Sequence, residues 1–298
     1  MIIRNALSWL VLACAGCATV APSPATLSYA DVERFYRVYD KSNGHPAAAI
    51  LQADYLDPGS NALKDFIPNR IVSADRLARR IEEAPAVYRD ARRCLELMPH
   101  AAVSYESSME RFRALHPPAA KPRVTFVIGR NTSGGTVGDA GIILGLEVIC
   151  RPQSPSRRPV RDRLDSLIAH EAAHASQPMR SGGTLLEMAL HEGAAELVAE
   201  LVTGEILNDH LKEWTRGQEA RIERDFRAAM AGTDTKSWIY NGIGTPARPG
   251  DLAYWVGYRI SRAYYDRAGD KRAALARLLA EEDPAAILAQ SGWSEQAN

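Results

Sequence analysis

The stretch LIAHEAAHASQP, residues 167–178, constrains this chain more than any other. It sets His170 and His174 four residues apart with Glu171 between them. On a helix, residues four apart lie on one face, so both imidazoles can reach one ion. Glu171 then lies about 100° around from His170 and about 60° from His174, at 3.6 residues per turn. That places it beside an ion, where a general base is wanted, and not on it. The spacing predicts a helix over 160–177 that ends at Pro178, held to the core by a stripe of Leu164, Ile168, Ala172 and Ala175. The competing reading is a pair of hydrogen-bonded core histidines, and the pentapeptide alone leaves both open.

A catalytic zinc site takes three protein ligands plus water, so the next helix, read over 184–203, is searched for a third. In GTLLEMALHEGAAELVAELVTG, Leu190, Ala194, Leu197, Val198 and Leu201 form one apolar face. Glu192 and Glu196 fall together on the other side, among Ala189, Ala195 and Ala199. Small neighbours invite a packed helix, and a buried carboxylate is costly unless it is paired or binds a metal. Glu192 is therefore assigned as the third ligand. Glu196, one turn on, is assigned to accept a hydrogen bond from a ligand histidine. The two roles could be exchanged, and a solvated helix with scattered acids is the alternative. His191, about 100° from Glu192, is not expected to share its ion.

The rest of the chain gives the setting. MIIRN followed by ALSWLVLACAG reads as a secretory signal, too short for a membrane span. The cleavage region ACAGC resembles the bacterial lipoprotein signal, with Cys17 the lipidated residue and Cys14 the weaker choice; an ordinary secretory signal is the alternative. Residues 1–17 are then signal, 18–28 a tether, 29–118 a helical region and 119–298 the catalytic region, with 29–298 one unit. The site is expected outside the cytoplasm, on the periplasmic side of an outer membrane. There an oxidising compartment permits a Cys94–Cys150 disulfide. Lys plus Arg equals Asp plus Glu at 36 each, which argues against nucleic acid as a partner. Two strands are read over 123–129 and 141–150, pairing across NTSGGTVGDAG as a short antiparallel sheet. Helices are read over about 206–230, 250–268, 270–280 and 283–290, giving an α+β, predominantly helical chain. In PGDLAYWVGYRISRAYY, Tyr254 and Tyr258 are one turn apart and could donate to an oxyanion, with Gly257 allowing close approach; an aromatic core stripe is the alternative.

HEAAH followed by EGAAE resembles the gluzincin metallopeptidases, whose third zinc ligand is a glutamate on a later helix. It is most similar to a poorly characterised group of bacterial zinc-dependent proteases, some of them lipoproteins. FYRVYD, YLDPGS and YWVGYRI extend the likeness loosely over most of the mature chain. The resemblance implies a zincin-like core, one catalytic Zn2+ and a peptide substrate cut by metal-activated water with Glu171 as base. It also implies an edge strand beside the metal helix that pairs with substrate, for which GIILGLEVI is the candidate; a plain core strand is the alternative. Glu196 stands where the gluzincin pattern often has aspartate, so its role is less secure than that of Glu192. Two other functions remain in play: a non-catalytic metal-binding or scaffold lipoprotein, and a metal-dependent amidase acting on cell-wall material.

Overall fold

Helical spacing in ADVERFYRVYDK puts Val32, Phe35, Tyr36 and Val38 on one buried side of the first helix, α1 (Ala30–Lys41). The structure is a computed structural model and describes residues 26–151, 155–180, 182–245 and 247–293. Phe35 meets the Tyr55 and Tyr88 rings at centroid distances of 5.3 and 6.0 Å. Tyr55 lies on the π-helical continuation of α2 (Ala48–Leu51). The turn DPGSN is followed by α3 (Asn61–Phe66), capped by Ser60, and a π turn at Ile67–Ile71. Sequence reading gave neither. Next come α4 (Ala74–Glu83), α5 (Pro85–Ala91), a 3-10 turn at Arg92–Leu97 and α6 (Met98–Leu115). Pro85 breaks the helical run, since its ring cannot continue a helix interior.

The sheet differs from expectation. Among the described residues it has four strands in the order β1-β2-β4-β3: β1 (Leu27–Ser28), β2 (Val124–Val127), β3 (Gly135–Gly138) and β4 (Gly141–Gly145). It is mixed and not antiparallel, because β2 and β4 run parallel and only β3 runs against β4. The glycine-rich loop supplies β3, which folds back through Asp139–Ala140 into a hairpin with β4 and takes the sheet edge. The apolar run at 141–150 is therefore interior strand and not edge, and it stops at Gly145. Its second half turns into α7 (Leu146–Ile149). Periodicity could not separate buried strand from buried helix in so short a run. Gly141, at φ 108°, passes so near the neighbouring strand that a Cβ would lie 2.4 Å from the Arg123 carbonyl oxygen. The end of the expected tether is also strand, since Leu27 and Ser28 pair with Val124 and Thr125. Cys17 lies outside the described residues. Cys94 and Cys150 are joined by a disulfide, Cα–Cα 6.3 Å.

The remainder is helical: α8 (Val160–His174), α9 (Leu185–Thr203), α10 (Asp209–Thr215), α11 (Glu219–Ala229), α12 (Leu252–Arg267), α13 (Lys271–Leu279) and α14 (Pro284–Ser291). A small ribbon of β5 (Gly244–Thr245) and β6 (Arg248–Pro249) precedes α12. The helix read over 206–230 is two helices, broken at Gly217, which has φ 78°. The chain is thus predominantly helical with a small sheet, as α+β requires. One apolar cluster runs from Leu27 through the sheet, α8 and one side of α9 to Leu279. A second joins the other side of α9 to α11, α12 and α14. At the α9–α12 crossing the backbones touch: a Cβ on Gly193 would stand 2.0 Å from the Gly257 carbonyl carbon, and one on Gly257 1.7 Å from the Ala189 oxygen.

Candidate metal centre

Helix α8 buries Leu164, Ile168 and Ala172 against the first cluster, which turns the two histidines toward α9. Helix α9 starts at a capping box of Thr184 and Glu187 and ends at Gly204 in the left-handed conformation. Facing alanines, including Ala172, Ala173, Ala195 and Ala199, are buried. Between the two helices His170 Nε2, His174 Nε2 and Glu192 Oε2 converge. The two nitrogens are 3.0 Å apart, and Oε2 lies 3.2 Å from His170 and 3.1 Å from His174. The chemistry of the set can be tested. Tetrahedral zinc at 2.0–2.1 Å from each ligand separates ligand atoms by about 3.3 Å. Three atoms at 3.0–3.2 Å, two from histidine and one from carboxylate, fit that requirement. Among the described residues this is the one group of three such side chains whose ligand atoms all lie within 4.8 Å of one another.

The electrostatics agree with a site built for a cation. Burial opposes ionisation of Glu192, yet the two histidines hold it well below the usual carboxylate range. Burial likewise opposes a charged His174, but Glu192 pushes it up to about 9. Without metal, a proton therefore stands between these groups. Gln177 takes His174 Nδ1 at 2.6 Å and donates to the His191 carbonyl at 2.8 Å. With Nδ1 so engaged, His174 turns the lone pair of Nε2 into the cluster. Gln177 stands one turn after His174 in HASQP, so its role was readable from spacing.

Glu171 is 5% exposed, next to the cluster but not among its converging atoms. Burial, with Glu192 adding to it, pushes its carboxyl up to about 7, while His174, Arg70 and His191 pull the other way. Its Oε2 has no hydrogen-bond partner among the described residues. Edge strand β3 lies directly over it, since a Cβ on Gly135 would be 2.2 Å from Glu171 Oε1.

Other assignments shift. Glu196 Oε1 is 3.9 Å from His170 Nδ1, too far for a hydrogen bond. Its oxygens instead accept from Leu207 N at 2.7 Å and Asn208 Nδ2 at 2.5 Å, fastening the turn after α9. His170 Nδ1 is buried, with no hydrogen-bond partner among the described residues. His191 supplies no ligand atom but stacks on His174 at 4.7 Å and pairs with Glu281 at 2.5 Å. Of the two tyrosines, Tyr254 stacks on His170 at 6.1 Å. Tyr258 stacks on Trp255 at 5.4 Å, and burial, with the nearby Glu200 carboxylate adding to it, pushes its phenol up. The site also holds a tyrosine that sequence reading missed. Tyr240 donates its hydroxyl to Glu192 Oε1 at 2.5 Å and meets Tyr254 edge to face at 6.3 Å. Desolvation and the Glu192 carboxylate push its phenol up, so it stays a donor. Nothing in SWIYNGIG, a loop without periodicity, marks it. His45 pairs with Glu82, His100 with Asp165, and His116 stacks on Phe112, all away from the cluster.

Compared with known families, the chain matches a family model described as "Predicted Zn-dependent protease (DUF2268)" over residues 127–283, more than half of the chain and all of the cluster. No curated protein and no solved structure matches.

Proposed function

The chain belongs to this family of predicted Zn-dependent proteases, and from that premise we propose that it is a zinc metallopeptidase of gluzincin type. The observation that carries the reading is the convergence of His170, His174 and Glu192 on one point, with Glu171 beside it. His170, His174 and Glu192 would hold one Zn2+, which when bound acidifies a coordinated water and polarises the scissile carbonyl. Glu171 accepts the proton of the attacking water and passes it to the leaving amine. A carboxyl pushed up to about 7 suits both steps, because it is neither too weak a base nor too weak an acid near neutrality. The free edge of β3, lying over Glu171, is the surface on which an extended peptide would add as a further strand. Tyr254, packed on His170, is the favoured donor to a developing oxyanion, with Tyr258 one turn on as the other candidate.

The reading extends to location. Among the described residues no helix is long and apolar enough to cross a membrane. Attachment would rest on lipid at Cys17, outside the described residues. The Cys94–Cys150 disulfide supports an oxidising, extracytoplasmic compartment.

Metal analysis and peptide-library cleavage, run on the parent and on Glu171→Ala, test the proposal. Stoichiometric zinc in both and cleavage only by the parent is the expected result. A parent that binds no zinc on titration overturns the site, and equal cleavage by Glu171→Ala overturns the base.

A further inference from the structure

The two oxygens of Glu192 have different partners. Oε2 faces His170 Nε2 and His174 Nε2, while Oε1 accepts the Tyr240 hydroxyl at 2.5 Å. The loop that brings Tyr240 there is fastened on both sides. Before it, Trp238 and Ile239 are buried in the second cluster, and the Trp238 carbonyl accepts from Ala253 N at 2.9 Å. After it, Asn241 and Asp251 exchange hydrogen bonds, Asn241 N to Asp251 Oδ1 at 3.0 Å and Asp251 N to Asn241 Oδ1 at 2.7 Å. Tyr240 itself has φ 55°, a left-handed backbone that a bulky non-glycine residue rarely adopts. Its residue exposure is 59%, so ring burial is not what the unusual backbone secures. What it secures is the hydroxyl on Glu192.

A carboxylate whose second oxygen is free can close on a cation with both oxygens. In a site of two histidines and one glutamate, that second oxygen would take the position a catalytic zinc reserves for water. Building on the zinc-peptidase reading, we infer that Tyr240 is a positioning residue: by holding Oε1 it keeps Glu192 a one-oxygen ligand and keeps one metal position open. Tyr240 acts through Glu192 and touches no reacting atom in this role. The same hydrogen bond orients the ligand, and loss of such outer partners typically weakens metal affinity about 10–100-fold.

The test uses the full chain loaded with Co2+ in place of zinc, and needs no substrate. Four-coordinate Co2+ absorbs visible light more strongly than five- or six-coordinate Co2+. Tyr240→Phe keeps the ring and removes the hydroxyl. Its visible band is expected to weaken several-fold, and zinc affinity measured by chelator competition to fall about tenfold. Tyr240→Ala carries the same expectation, which separates loss of the hydroxyl from any repacking of the phenylalanine ring. A parent-like band and parent-like affinity in both variants overturn the inference while leaving the peptidase reading intact. A parent that binds neither metal overturns both. A parent that binds metal but cuts no peptide leaves the spectral comparison decisive for Tyr240 alone.

Discussion

Gly135→Ala adds one methyl group where the edge strand crosses the proposed base. The new carbon would stand 2.2 Å from Glu171 Oε1, 2.6 Å from Cδ and 2.8 Å from Cγ. Non-bonded heavy atoms relax at about 3.5 Å, so the carboxylate must retreat by roughly 1 Å or the strand must lift by as much. Glu171 is 5% exposed and has no solvent to swing into, so the strain remains inside the site. Overpacking of this kind costs about 1–3 kcal/mol of stability. A misplacement of about 1 Å in a reacting group costs on the order of 10²-fold in rate. That is about 2.7 kcal/mol of barrier at 1.36 kcal/mol per tenfold. The three ligand atoms are untouched, so metal content should not change. The assay compares peptide cleavage and bound zinc in the parent, in Gly135→Ala and in Glu171→Gln. Gly135→Ala should keep its zinc, lose about 100-fold in rate and fall between the other two. A rate equal to the parent's would refute the placement of Glu171 beneath the strand. Loss of zinc would show that Gly135 supports the ligands and not the base.

Four further outcomes are expected. Gly257→Ala drives a methyl group to 1.7 Å from the Ala189 oxygen, a backbone contact that cannot rotate away; the loss should reach about 3 kcal/mol, read as a lower urea midpoint. Reducing Cys94–Cys150, 56 residues apart, should cost up to about 4 kcal/mol by loop entropy, seen as a lower melting temperature in thiol reductant. Burial pushes the fully buried Glu147 up to about 7 despite the Asn131 N–H that donates to it. Between its ordinary 4.5 and that value the folded chain keeps a proton the unfolded chain has released. Stability therefore falls as pH rises through that window, by about 3 kcal/mol. Glu147→Gln should remove that share of the slope in urea unfolding at pH 5 against pH 8, leaving the parallel share from Glu171. Because Glu192 raises His174 to about 9 against its burial, metal binding below that pH must expel a proton. Zinc affinity should climb with pH up to about 9 in chelator competition, and a flat profile from pH 6 to 8 would contradict the pairing.

The legible part of the site was what helical phase controls. His170, Glu171, His174 and Glu192 lie on two long helices, where 3.6 residues per turn fixes which side chains share a face. Alanines around Glu192 gave away the facing helix because a close crossing has no room for more. The same reasoning did not foresee that Tyr258, one turn along α12 from Tyr254, stacks on Trp255. It failed more fully off the helices. β3 is four residues of glycine, threonine and valine with no alternation to read, and only pairing with β4 makes it a strand. Tyr240 depends on a left-handed backbone whose cause is Trp238, Asn241 and Asp251, contacts invisible in a sequence window. Glu196 was placed on the right face, but the donors that claim it, Leu207 and Asn208, come from the turn beyond its helix.

These failures share a physical cause that bears on how the centre is held. Helix α9 belongs to both apolar clusters, Ala195, Val198 and Ala199 facing one and Leu190, Ala194 and Leu197 the other. The three converging side chains sit on the seam, and each is backed from a different direction. His174 is held by Gln177 and stacked on His191, His170 is stacked on Tyr254 of α12, and Glu192 is tied by Tyr240 of the loop before α12. His191 in turn leans on Glu281, which Arg180 also holds. No single helix could carry these supports, because side chains on one helix cannot surround a point beside it. An ion with three protein ligands and an open position needs walls from several segments, and those walls must come from loops and from helices far along the chain. The metal-binding motif can therefore be local in sequence, whereas the set of residues that gives it a fixed geometry cannot.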